Sequence, residues 1–442
     1  MDRIEEIYRL QTPGSRALYE RSCAVVPDGV HHLYRYYAPY PVYMVKGAGS
    51  HIWDVDGNDY VDVWCAHYAA LLGHAPAFIL DEIKRVADYG THFGIPSENE
   101  VRLAELLVDL LPGVDKVKFG VSGTEATMYA VRLARGYAGR NTILKVAGGW
   151  HGPSTDLTVG IAPPFPEPDS AGLVPEISKY TRIIPFNDIE GTRAVMDEVG
   201  DDLAGVIAEP VMGVSFEPAD REYLVFLREE TSKRGAVLIF DEIICGFRLG
   251  LGGGAERFGV IPDLSTFGKV AGGGFHLGFV GGREEVMAMS SLAVPGGSQR
   301  VLVGGGTYSC NPMSMVAGRL MVEYLRDNAA TVYPRLEEIG ARVRTGLKRV
   351  LEAAGLRVIV PGISSLSTVM IMREEPRAGA TSVEKLLLAD QAQIHKLQLG
   401  LLNEGVFNHH CRFALTYAHS DEDVDAIING AARAAAAVVG ES

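Results

Sequence analysis

From about residue 76 to about residue 325 the chain alternates short, near-continuous apolar runs with helical stretches. The runs include Val117-Lys118-Phe119-Gly120-Val121, Thr142-Ile143-Leu144-Lys145-Val146, Gly205-Val206-Ile207-Ala208 and Val237-Leu238-Ile239-Phe240. A strand that is apolar on both faces has to be covered on both. This pattern therefore predicts an α/β fold with a mainly parallel central sheet between helices. Such sheets bind ligands at the carboxyl ends of their strands, so the chemistry of this chain is expected just after the runs.

The flanking segments read differently. Residues 1–75 open with a short amphipathic helix and continue with strand-like alternation around Val42-Tyr43-Met44-Val45 and residues 51–60, where Asp56-Gly57-Asn58 is a hairpin turn signal. Residues 326–442 resume as helix, then strands such as Ser367-Thr368-Val369-Met370-Ile371-Met372, then an alanine-rich helix from Ser420. The chain thus divides into a large domain over 76–325 and a smaller α+β domain formed by both termini. Pro153 to Pro175 holds six prolines and reads as a long ordered loop, either a lid over a site or a surface excursion.

Composition narrows the partners. The balance of 41 basic and 55 acidic residues gives a net charge of -14, which argues against nucleic acid. No apolar run approaches the roughly 20 residues of a membrane-spanning helix, and the N-terminus lacks a signal-peptide core. The five cysteines, at 23, 65, 245, 310 and 411, have no metal-ligand spacing. The expectation is a protein of the reducing cytoplasm without a metal.

Four motifs follow the apolar runs. Lys269 sits in Thr266-Phe267-Gly268-Lys269-Val270-Ala271-Gly272-Gly273-Gly274, where crowding by backbone and apolar groups strips hydration from an amine and favours its nucleophilic form. Asp241 ends the run Val237-Leu238-Ile239-Phe240. A buried amine and a carboxylate are what pyridoxal phosphate chemistry requires: an aldehyde-binding lysine and a partner for the pyridine nitrogen. Either residue alone is more often a surface lysine or a helix cap. Ser122-Gly123-Thr124 opens a helical stretch and offers N–H groups and hydroxyls to a phosphate ester. Trp150, in Trp150-His151-Gly152, can stack on a flat heteroaromatic ring, with Ile243 on the opposite face.

These segments, in this order, resemble the class III pyridoxal phosphate aminotransferases of fold type I. The likeness is strongest to the branch holding glutamate 1-semialdehyde aminomutase and aminotransferases of beta-amino acids and D-phenylglycine. It spans nearly the whole chain and includes Leu72-Gly73-His74, Glu209-Pro210-Val211, Gly246-Phe247-Arg248, Gly306-Thr307 and Ala418-His419. The resemblance implies pyridoxal 5'-phosphate as cofactor, with Lys269 forming its Schiff base and moving the proton. It further implies Asp241 on the pyridine nitrogen, Trp150 and Ile243 on the ring faces, and Ser122, Gly123 and Thr124 on the phosphate. His151 and Glu209 are carried over as cofactor neighbours. Thr307 is carried over as a contact to the neighbouring subunit's cofactor, so a homodimer with shared sites is expected.

The same resemblance leaves the substrate open. Arg35 aligns with the arginine that binds the aminomutase substrate's carboxylate, and Arg412 is a second candidate for that role. His67 stands where the aminomutase has tryptophan, Val214 where it has asparagine, and Cys310 where it has a small residue. The leading expectation is an aminotransferase passing an amino group from a carboxylate-bearing donor to a keto acid. The alternative is an intramolecular aminomutase. A lyase or racemase on the same fold, or a non-catalytic binding protein, are the further readings. His409-His410 lacks a third ligand for a metal.

Overall fold

The computed structural model describes residues 2–163, 165 and 168–440. Its centre is a seven-stranded sheet: β1 (Lys116–Gly120), β2 (Thr142–Val146), β3 (Thr181–Ile184), β4 (Leu203–Ala208), β5 (Val237–Asp241), β6 (Leu264–Phe267) and β7 (Gly278–Gly282). The spatial order is β1-β7-β6-β5-β4-β2-β3. Neighbours from β6 to β3 pair in parallel, and β7 runs antiparallel to both β6 and β1. Two reversals restore direction, so β1 points the same way as the parallel set. Every residue of β2, β4, β5 and β6 is buried, as strands covered on both faces must be.

This topology gathers the motifs at one edge. Ser122 follows β1, Gly148 to His151 follow β2, Glu209 follows β4, Asp241 ends β5 and Lys269 follows β6, all at the carboxyl ends where open α/β sheets bind ligands. The helix after β1 spans Gly123–Ala138, opening at the Ser122-Gly123-Thr124 turn as the sequence leads one to expect. Ser122 is its N-cap, its hydroxyl accepting from Glu125 N at 3.3 Å, while Glu125 Oε2 accepts from Val121 N at 2.6 Å.

The first and last parts of the chain share a second sheet. Met44–Ala48 pairs antiparallel with His51–Asp54, which pairs antiparallel with Asp59–Asp62 across the expected Asp56-Gly57-Asn58 turn, and Val406–Phe407 joins Asp59–Asp62 in parallel. The final helix, Asp421–Gly440, packs against Ala329–Ala353 and Gln391–Asn403. From Ala147 to Glu176 the described residues contain no helix or strand, in keeping with the loop read from the prolines. Three of that loop's residues, at 164, 166 and 167, lie outside the described residues.

Candidate active site

Lys269 opens a short 3-10 turn with a left-handed φ of 47°, a conformation costly for a side chain with a Cβ and concentrated at functional sites. It lines a cavity of about 220 Å³ together with Asp241, Ile243, Trp150, Gly123 and Thr124. Burial pushes the amine below its usual pKa, while the carboxylates of Asp241 and Glu209 pull it back up.

Asp241 is buried and oriented from three sides. Its Oδ2 accepts from His151 Nδ1 at 2.6 Å, and its Oδ1 accepts from Ile243 N at 3.0 Å and Thr266 Oγ1 at 3.2 Å. His151 is held from behind as well, since its carbonyl accepts from the buried Thr127 hydroxyl at 2.6 Å. Burial depresses the His151 pKa, and its Nε2 is enclosed without a partner. Glu209 accepts from Trp150 N at 3.2 Å and Gly213 N at 3.1 Å. Burial, then the neighbouring Asp241, raises its pKa to about 8.

The cavity's other end is the first turn of the helix Gly123–Ala138. The N–H groups of Gly123 and Thr124 have no acceptor within the helix, as at any helix start, and the positive end of the helix dipole faces the same way. Side-chain-free backbone makes room here. A Cβ on Gly123 would come within 2.8 Å of Ile243 Cδ1, one on Gly152 would overlap Thr124 Oγ1, and one on Gly278 would overlap Ser122 O. Gly278 and Thr127 are site-building residues that no motif had singled out. A carboxylate and an amine, a helix start for a phosphate, and two ring-sized apolar walls fit a flat phosphorylated aldehyde. Lys269, Asp241, Trp150, Ile243, Gly123 and Thr124 would hold it.

His67 also lines the cavity and has a φ of 58°. Its ring stacks on Trp64 at 4.6 Å, and His409 stacks against the same indole at 4.8 Å. Burial pushes both imidazoles down to about 2, so both are neutral. Arg412 lines the cavity. Its Nε donates to Val214 O at 3.1 Å and its guanidinium lies 5.9 Å from the Tyr34 ring centroid.

The structure does not gather every expected residue. Arg35 is exposed and lines a neighbouring apolar cavity but not that of Lys269, while Tyr34, one residue earlier, borders both. Ser122 stands just outside the cavity lining; its hydroxyl accepts the helix-cap bond from Glu125 N and keeps its own O–H as a donor. Thr307, expected at the neighbouring subunit's cofactor and not at this one, is exposed outside the cavity, beside Gly306, where a Cβ would come within 3.1 Å of Glu125 Oε1. Cys310, with a φ of 57°, is also outside it. Among the described residues no group of histidines, cysteines and carboxylates could hold a metal ion, and no helix is long and apolar enough to cross a membrane.

Comparison with known proteins places this geometry. The profile of the family described as "Aminotransferase class-III" matches residues 34–434. The glutamate-1-semialdehyde 2,1-aminomutase of Aquifex aeolicus is 37% identical over 419 residues, covering 92% of this chain and 96% of its own. An omega-transaminase from Sphaerobacter thermophilus superposes with a TM-score of 0.89 at 32% identity, covering 98% of this chain and 99% of its own. A beta-phenylalanine aminotransferase from Variovorax paradoxus does so with a TM-score of 0.86 at 28% identity, covering 97% and 96%. The chain therefore belongs to the class-III aminotransferase family, whose cofactor is pyridoxal 5'-phosphate.

Proposed function

We propose that this protein moves an amino group on a small carboxylate-bearing substrate, and that it does so within one molecule, in the manner of the 2,1-aminomutases. The observation that carries amino transfer is the convergence of Lys269 and Asp241 on one cavity. The likeness to aminomutases, at 37% identity over nearly the whole chain, supports the intramolecular form over the two-substrate transfer that the motifs alone favoured.

When bound, the cofactor supplies an electron sink that makes a proton on the substrate carbon labile. The chain's own groups do the rest. Lys269, its charge disfavoured by burial, takes and returns that proton at Nζ. Asp241, fixed by three donors, would hold the ring nitrogen. Trp150 and Ile243 would bound the ring faces, and the N–H groups of Gly123 and Thr124 would hold the phosphate. Arg412 offers a guanidinium to the substrate carboxylate inside a cavity whose nearby histidines are neutral. Thr307, exposed on a loop that packs beside the helix start, supports a homodimer in which it meets the partner's cofactor.

A second reading, transfer between two molecules, is favoured by the pocket residues that depart from the aminomutase pattern, His67 and Val214. One experiment separates the two. Holoenzyme is mixed with stoichiometric amino donor in a single turnover and the solution is assayed for free keto product. Retention of the product and its return as an isomer supports the mutase, stoichiometric release supports the transferase, and no spectral change with any amino donor contradicts amino transfer altogether.

A further inference from the structure

Lys145 lies within β2 and is fully buried, and the site described above gives it no part. Buried ammonium groups normally pair with a carboxylate, yet among the described residues none lies within ion-pair distance of it. Its Nζ donates instead to two backbone carbonyls, Gly149 O at 2.8 Å and Val159 O at 2.7 Å. Gly149 directly precedes Trp150 and His151. Val159 stands two residues before Ile161, which lines the same cavity. Gly148 N donates to Gly160 O at 2.8 Å, a second tie between the same two segments. Beyond them, Asp169 accepts from Ile161 N at 2.7 Å and Ala162 N at 3.0 Å. The segment therefore folds on itself and is tied to the sheet at Val159 and Gly160, with further anchors upstream where Thr181 Oγ1 donates to Asp156 O at 2.7 Å and Leu157 is buried in the core.

We propose that Lys145 is a positioning residue whose ammonium clamps the Trp150 to His151 turn and the Val159 to Ile161 segment into one continuous wall of the cofactor cavity. An apolar side chain would leave both enclosed carbonyls without this donor, the costly case for buried polar groups. The charged groups facing Lys145 are Glu209 and Asp169, which support its charge against the burial that lowers its pKa. Its charge acts in turn on Glu209 and His151. The clamp thus bears on both the shape of the ring slot and the protonation of the groups behind it. The inference rests on the amino-transfer reading for the identity of the cofactor, but the clamp itself is a property of the protein without cofactor.

The test compares full-length Lys145→Met and Lys145→Gln with wild type. Hydrogen exchange over residues 147–162 is followed without cofactor, then pyridoxal phosphate is titrated and the pH midpoint of its bound visible band measured. In K145M, exchange in this window is expected to rise at least tenfold, the dissociation constant for pyridoxal phosphate to rise about tenfold, and the pH midpoint to move. K145Q, which keeps a donor without the charge, should recover part of the protection and leave the midpoint displaced. Unchanged exchange and an unchanged midpoint in folded K145M would overturn the proposal, and if K145M does not fold, unchanged values in K145Q would overturn it. Failure of wild type to bind pyridoxal phosphate would instead overturn the proposed function, while the exchange comparison would still decide the clamp.

Discussion

His151 Nδ1 donates to Asp241 Oδ2 at 2.6 Å, with both side chains buried in the wall of the cavity that Lys269 lines. The carboxylate therefore has a fixed orientation before any ligand arrives, which is the preorganisation electrostatic catalysis depends on. Replacing Asp241 by Asn keeps the shape and removes the charge. The expected result is retained cofactor binding with turnover lowered about 10²- to 10⁴-fold, the range of a lost acid–base contribution, as measured by steady-state kinetics on the saturated holoenzyme.

Gly278 marks how closely β7 passes the start of the helix Gly123–Ala138. A methyl group there would overlap Ser122 O, and a backbone carbonyl at a helix cap has little freedom to yield. Gly278→Ala should cost about 1–3 kcal/mol of stability, as overpacking does, and should weaken pyridoxal phosphate binding. Thermal unfolding and cofactor titration of the variant measure both.

Arg412 and Arg35 make opposite predictions. Arg412 lines the cavity and Arg35 is exposed beside a different one. Arg412→Ala should lower kcat/KM for a carboxylate-bearing substrate about ten- to hundredfold, since a hydrogen bond to a charged group contributes about 1.5–3 kcal/mol. Substrate lacking the carboxylate should be little affected. Arg35→Ala should change kcat/KM less than Arg412→Ala does, and the reverse ranking would return the carboxylate role to Arg35.

Acid stability should depend on His409. Burial lowers its folded pKa from 6.5 to about 2, so between those values the unfolded chain holds a proton that the folded one does not. Its contribution is complete above pH 6.5 and is lost as pH falls toward 2. His409→Phe keeps an aromatic ring against Trp64 and removes the titration. Melting temperatures from pH 7.5 down to 4.5 should fall less steeply in the variant than in wild type.

The parts of the site most legible in the sequence were those whose residues serve two physical ends at once. Asp241 ends an apolar strand and carries charge, and Lys269 sits among glycines, so both residue types were anomalous where they stood. The parallel sheet was legible from β2, β4 and β5 because burial on both faces forces continuous apolar runs. By contrast β7 is Gly-Phe-Val-Gly-Gly, poor in strand-forming residues because its glycines let neighbouring backbone close in, and β3 is a short edge strand. Arg35 and Arg412 could not be ranked from sequence, since which side chain of a 3-10 turn faces a cavity is settled by packing between segments far apart in the chain. Lys145, a charged residue within an apolar run, was visible in β2, but its partners are backbone carbonyls that leave no trace in residue types.

The role of Lys269 admits the most direct measurement. Holoenzyme is reduced with borohydride, digested, and the peptides are mapped by mass for a covalent pyridoxyl adduct, alongside Lys269→Ala. The adduct is expected on the peptide carrying Lys269 in wild type and absent from the variant. An adduct on another lysine, or one that persists in Lys269→Ala, would contradict the assignment of this site.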